Sequence, residues 1–235
     1  MFDIDGTVFR SSLLVELVNR LIEEGHFPAR ARQEFAREYQ GWLNRENSYE
    51  RFIDAVVHSF MMHIQGVHYS DFANVGDMVI AENQFHTYRY TRDLIIDLKR
   101  NGYFLLAISQ SPKTVLEKFC KTLGFDKVYG RMYEIGPSDR FTGKVIEEHL
   151  IANKANIVKR AVEKEQLTFE NSIGVGDTEG DISMLELVER PVCFNPNMQL
   201  YRHAKINDWQ VIVERKDVIY DLQNLQHGLI AEHVA

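Results

Sequence analysis

From residue 90 onward the chain alternates short apolar runs with helical stretches, and that alternation leaves few folds open. A helix is predicted over 92–100, closing at Gly102. The run Tyr103-Phe104-Leu105-Leu106-Ala107-Ile108 is apolar throughout, the mark of a strand buried on both faces. Ser111-Pro112 reads as a helix start, with Ser as N-cap and Pro at the first helical position, and Gly124-Phe125 as its end. A strand at 128–129 follows, then a hairpin over 133–145 with Gly136-Pro137-Ser138-Asp139 at its tip. The pattern continues with a helix over 154–164, a strand around Ile173, a helix over 181–189, a strand over 191–194, a helix over 198–206 and a strand over 210–213. Repeated β–α units require a parallel sheet with right-handed crossovers, so the expected class is α/β.

Residues 10–90 break this rhythm. Leu13, Leu14, Leu17, Val18 and Leu21 recur at helical spacing and Gly25 closes the run. Ala31, Phe35, Tyr39 and Trp42-Leu43 continue the period, Ser48 is a predicted N-cap, and a further helix is predicted over 70–88. The block falls between the first and second strands of the sheet. It is therefore expected as a helical cap (10–89) on a core made of 1–9 and 90–235, acting as a lid that excludes water. Its aromatics, Phe27, Phe35, Tyr39, Trp42 and Phe60, read mainly as helix–helix core.

Two acidic clusters stand at predicted strand ends. In Asp3-Ile4-Asp5-Gly6-Thr7 the two carboxylates lie on one face of an extended strand, and Gly6 permits the turn that follows. A surface turn with solvated acids is the plain alternative. In Ser172-Ile173-Gly174-Val175-Gly176-Asp177-Thr178-Glu179-Gly180-Asp181 the pattern is strand, turn, helix start. Asp177 falls at the strand's carboxyl end, and Asp181 in a first helical turn where an acid can also serve as a cap. Ligands of open α/β sheets gather at such ends, near the topological switch point. If the two strands are neighbours, Asp3, Asp5, Asp177 and Asp181 converge, and four acids in one crevice require a cation. Oxygen donors without nearby His or Cys favour Mg2+ over zinc; His58, His63 and His68 have no metal-ligand spacing.

Ser109, just past the second strand, offers a hydroxyl beside a helix start, where anions bind. Lys154 opens a helix, a position the dipole disfavours for a cation unless its ammonium reaches an anion; by sequence, Lys144 and Lys159 are equally eligible. The net charge of −7, with basic residues scattered, argues against nucleic acid or an anionic membrane as partner. The longest apolar stretch is too short to span a bilayer. Cys120 and Cys193 read as buried free thiols, which together with the absence of a secretory pattern gives a cytoplasmic expectation. The first strand is short, because Met1 nearly abuts Asp3, and apolar residues added before Met1 are expected to raise the melting temperature.

These motifs, in order and in strand–turn context, resemble the haloacid dehalogenase superfamily, with the phosphoserine-phosphatase-like branch the nearest. The resemblance rests on Asp3-Ile4-Asp5-Gly6-Thr7, Ser109, Lys154 and Gly176-Asp177 through Asp181, supported by 190–196 and Trp209-Gln210-Val211-Ile212. It implies a Rossmann-like parallel sheet sandwiched by helices with an inserted helical cap. It also implies a Mg2+-dependent hydrolase of small phosphomonoesters. In that reading Asp3 is the nucleophile and Asp5 the general acid–base. Asp3, Asp5 (through its carbonyl), Asp177 and Asp181 belong to the metal site, and Ser109, Gln110 and Lys154 bind the phosphoryl group. Ser12 stands where phosphoserine phosphatases carry an amine-gripping glutamate, with Glu16 one turn on, so specificity is expected to depart from phosphoserine. Gly180 stands where they often carry Asn, which removes one polar contact. A phosphotransferase to an acceptor hydroxyl and a non-catalytic metabolite-binding protein are the alternative functions.

Overall fold

The computed structural model describes residues 1–147 and 153–225; the remainder of the expected 90–235 core segment lies outside the described residues. Eight strands form one mixed sheet in the order β4-β3-β2-β1-β5-β6-β7-β8. They are β1 (Phe2–Asp3), β2 (Leu106–Pro112), β3 (Lys127–Ile135), β4 (Phe141–Ile146), β5 (Ile173–Gly176), β6 (Arg190–Phe194), β7 (Gln210–Arg215) and β8 (Val218–Asp221). Pairings from β3 through β7 are parallel, and β4 and β8 close the edges antiparallel. β1 sits between β2 and β5, so connections leave it in both directions. That makes its carboxyl end a topological switch point.

Alternation along the strands sorts the core onto two faces. Ala107, Val192 and Phe194 belong to one cluster, Leu106, Ile108 and Cys193 to the other. The first face is covered by α1 (Leu13–Glu23), α2 (Ala31–Leu43), α3 (Tyr49–His63), α4 (Tyr69–Asn83), α5 (Arg89–Arg100) and α6 (Lys113–Thr122). The second is covered by α7 (Lys154–Lys164), α8 (Ile182–Leu185) and α9 (Met198–Ile206); a last turn, α10, spans Leu222–Leu225. Cys120 and Cys193 are buried free thiols. No described helix is long and apolar enough to cross a membrane.

α1–α4 lie in the 10–89 stretch. The chain entering and leaving them pairs with itself: Phe9 bridges Thr87, Arg10 N–H donates to His86 O at 2.8 Å, and Tyr88 N–H donates to Val8 O at 3.0 Å. Ser48 caps α3 as expected, accepting from Arg51 N–H. α4 begins and ends before the predicted bounds, because the His68 ring accepts from Ser70 N–H and fixes the start.

Other differences have local causes. β2 starts three residues late and runs through Ser109, Gln110 and Ser111. Asp126 takes Leu105 N–H at 2.8 Å, so pairing begins only at Leu106. Ser111 is no N-cap: Pro112 precedes α6, and Ser111 N–H donates to Ser109 Oγ. β3 continues from the 128–129 strand into the predicted hairpin as one element. The predicted 181–189 helix shrinks to a 3-10 turn (Glu179–Asp181) and α8, because Leu187 and Val188 tighten to i→i−3 bonds. β8 has no counterpart among the predicted strands, and with β4, the second strand of the predicted hairpin, it gives the sheet antiparallel edges around a parallel centre.

Candidate active site

Asp3 ends β1, Asp177 follows β5, and the two strands are adjacent. Asp181, in the turn after β5, completes a group in which one carboxylate oxygen from each of the three acids lies within 4.8 Å of the others. Asp3 and Asp181 are buried and Asp177 is half-buried. The Asp5 carboxylate is not part of the group: Oδ1 accepts from Leu13 N–H at 2.6 Å, and Oδ2 accepts from the Ser109 hydroxyl. Its expected share in the metal site therefore does not run through its side chain.

Of the three eligible lysines, Lys154 is the one the structure brings to the acids. It is buried, and its ammonium donates to Asp3 Oδ1 and Asp181 Oδ1, each at 2.5 Å. Lys144 is 78% exposed and Lys159 is on the surface. Asn153 caps α7 through its side chain and so sets Lys154 at the first helical position. Asp181 serves both roles weighed for it: Oδ1 meets Lys154, while Oδ2 accepts the N–H groups of Asp177 and Thr178 at 3.0 and 3.1 Å.

One buried cation faces three carboxylates. Burial pulls the Lys154 ammonium down, but Asp181 and Asp3 outweigh that and hold it above the ordinary lysine value. The surplus negative charge falls on the other acids. Burial pushes Asp3 up to about 7, with the charges of Asp181 and Asp5 adding to it against Lys154. Burial and the Asp3 and Asp181 charges likewise raise Asp177 well above the carboxylate range. A dense oxygen cluster with surplus negative charge fits a hard divalent cation.

Backbone geometry explains the motif glycines. Gly6 has φ of +83°, and a Cβ there would strike Asp177 Oδ2. A Cβ on Gly176 would lie 2.5 Å from Asp181 Cβ. Thr7 donates its hydroxyl to Asp177 Oδ1 at 3.1 Å, and its own carbonyl accepts from the buried Thr91 hydroxyl. Gly6→Ala combines left-handed strain with that collision, so its expected cost is ~1–3 kcal/mol of stability and at least ~10²-fold in turnover. Denaturant melts and steady-state rates check it.

Ser109 is buried at the bulge where β2 pairing with β3 shifts between Ile108 and Pro112. Gln110 is exposed and its amide oxygen accepts from Arg131 at 2.9 Å, so its side chain is directed to β3 rather than to the carboxylates. Ser12 is buried, is not among the residues lining the neighbouring cavity, and accepts no capping hydrogen bond from α1. Glu16 does line that cavity, accepting the Ser11 hydroxyl at 2.8 Å.

The cavity, about 900 Å³, opens from Gly6 and Asp177 between α1 and the α2–α3 pair. Phe27 and Phe60 pack in the core as expected, but Tyr39 and Trp42 face the cavity. Tyr49, Tyr88, Arg10 and Asn195 also line it and were not foreseen, since no spacing rule marks them. Burial, then the charges of Asp5 and Asp177, raises the Tyr49 hydroxyl, and Tyr49 at the start of α3 lines the same cavity as Gly6 and Asp177.

The fold recurs in known proteins. The family model described as haloacid dehalogenase-like hydrolase matches residues 1–186. The chain is 27% identical over 125 residues to the "Inhibition of morphological differentiation protein" of Streptomyces azureus, covering 53% of this chain and 45% of that one. It thus spans less than half of that relative's length. It is 22% identical over 220 residues to the histidinol-phosphatase of Neisseria meningitidis serogroup C, covering 90% and 96%. A solved substrate-bound phosphoserine phosphatase superposes with a TM-score of 0.62 at 17% identity, covering 97% and 96%, which shows the shared fold. With Asp3, Lys154, Asp177 and Asp181 gathered at the switch point of this sheet, the chain belongs to the haloacid dehalogenase-like hydrolase family.

Proposed function

We propose that the protein is a Mg2+-dependent phosphomonoester hydrolase acting through an aspartyl phosphate on Asp3. The observation that carries this is the Asp3–Asp177–Asp181 group within 4.8 Å, with the buried Lys154 bridging Asp3 and Asp181. The names of the Neisseria relative and of the superposed structure support a small phosphorylated substrate.

Lys154 holds Asp3 Oδ1, which orients the carboxylate and leaves Oδ2 to attack phosphorus. The bond from phosphorus to the leaving alkoxide breaks as the Asp3–phosphorus bond forms, and Asp5, as the acid, gives that oxygen its proton. Asp5 then takes a proton from water, whose oxygen attacks phosphorus and frees Asp3 and inorganic phosphate. Leu13 N–H fixes Asp5 Oδ1, so the start of α1 positions the acid–base group. Ser109, Lys154 and the Gln110 backbone N–H are suited to hold phosphoryl oxygens. The carboxylates of Asp3, Asp177 and Asp181, with the Asp5 carbonyl, would hold Mg2+, which supplies the charge neutralisation that attack by an anion on a phosphate dianion requires. We read residues 10–89 as a lid hinged on the Phe9–Thr87 neck.

A screen of phosphorylated metabolites tests this reading, with product analysis in added alcohols to separate hydrolysis from transfer. Hydrolysis that persists unchanged in EDTA contradicts the metal assignment. Asp5→Asn is expected to cost ~10²–10⁴-fold in kcat.

A pH-resolved melt tests the cation independently of activity. An acid with a raised native pKa binds more protons folded than unfolded, so stability falls as pH rises from near 3.8 to about 7. Mg2+ relieves the same repulsion. It is expected to raise Tm by roughly 5–10 °C at saturation above that window, and by less below it. An equal shift at both ends, or none, contradicts the assignment.

A further inference from the structure

The cavity beside the acids is far larger than a phosphorylated three-carbon alcohol needs, and one wall of it is aromatic. Trp42 is the hub: its ring lies 5.1 Å from Tyr49, 6.0 Å from Tyr39 and 5.9 Å from Phe52, the last stacked at 9°. Trp42 and Tyr49 are only half-buried, although both belong to this cluster. Their uncovered surface faces the cavity whose floor is Gly6 and Asp177. The opposite wall is polar. It presents Glu16, whose carboxylate has Ser11 as its one hydrogen-bond partner among the described residues, and Asn19, whose side-chain amide has none among them. An acyl chain would leave these groups facing hydrocarbon, whereas a ring with polar edges satisfies both walls. Arg20 and Arg32 also line the space but are paired with Glu82 and Glu23.

We propose that the alcohol portion of the substrate carries a planar, nitrogen-bearing ring that lies on the Trp42–Tyr49 face while its phosphate reaches Asp3. The ring's edge groups meet Asn19 and Glu16 across the slot. This rests on the phosphatase reading and specifies its substrate class. Stacking of such rings on aromatic side chains supports roughly 10- to 100-fold in binding.

The test uses pairs of primary alkyl phosphates whose leaving alcohols differ in whether they carry the ring. These are adenosine 5′-monophosphate against ribose 5-phosphate, and 2-(imidazolyl)ethyl phosphate against butyl phosphate. In at least one pair the ring-bearing member is expected to show kcat/KM about 10-fold or more above its partner. Trp42→Leu and Tyr49→Leu should each erase that preference, bringing kcat/KM for the ring-bearing member down to that of its ringless partner. Equal rates within both pairs, or a preference that survives both substitutions, overturns the proposal. A wild-type protein that hydrolyses neither these compounds nor p-nitrophenyl phosphate overturns the phosphatase reading first, and this proposal with it. A binding measurement needs no variant of the wall. In Asp3→Asn/Trp209→Phe, Trp42 is the remaining tryptophan, and the ring-bearing ligand of the preferred pair should quench its fluorescence while the ringless partner does not; identical traces count against the proposal.

Discussion

Asp3→Asn is expected to lower kcat by at least ~10³-fold, because an amide can neither attack phosphorus nor carry the covalent intermediate. The substitution is nearly isosteric and sits at 6% exposure beside Ile4 and Phe2, both fully buried, so the strand has no reason to move. It also removes one negative charge from a cluster that holds three carboxylates and one lysine. The Tm of the metal-free variant is therefore expected to equal or exceed that of the wild type, and its gain from Mg2+ to shrink. Rate and melting curves together separate lost chemistry from lost structure. Near-wild-type turnover in this variant would remove Asp3 from the role of nucleophile.

Lys154→Met is expected to have the largest effect on stability. The side chain is 7% exposed and its ammonium serves two buried acids at 2.5 Å. Removing one partner of a buried ion pair costs ~3–5 kcal/mol, because the remaining charges stay desolvated. For a chain of this size that corresponds to a fall in Tm of roughly 6–20 °C. The deficit should narrow at low pH, where Asp3, already raised to about 7, takes up a proton and the repulsion fades. Mg2+ should recover part of it. Lys144→Met, at a side chain 78% exposed, should leave Tm within about 1 °C, in line with the small worth of surface pairs. Lys154→Arg is not a rescue, since the planar guanidinium cannot make the same point contact with both acids.

The acids were legible because glycines punctuate the strands that carry them, and a strand end followed by glycine is a local signal. Asp3 and Asp177 could then be paired from topology, since parallel β–α units leave few strand orders. Lys154 was a different case. Local sequence criteria left three lysines eligible; the family resemblance pointed to Lys154, and burial against Asp3 and Asp181 is the physical difference between it and the other two. Motif spacing puts Ser12 just before α1 but does not give the direction of its side chain, and the cavity face of that helix belongs to Val15, Glu16 and Asn19. The aromatic wall was hidden for a related reason. Tyr39 and Trp42 have the same helical spacing as the core residue Phe35, and Tyr49 follows an N-cap, so periodicity could not separate rings that face solvent from rings that pack. The edge strand β8 pairs antiparallel with β7 across a tight turn at Lys216, whose φ is +56°, and nothing in that segment matches the usual glycine-bearing hairpin signal.

The most direct measurement is acid-quench trapping of the enzyme during turnover of a radiolabelled phosphomonoester with Mg2+, followed by peptide mapping. The account predicts acid-stable, hydroxylamine-labile label on the peptide that contains Asp3, and none in Asp3→Asn. Full turnover with no label on that peptide, or label that persists when residue 3 is asparagine, would contradict it.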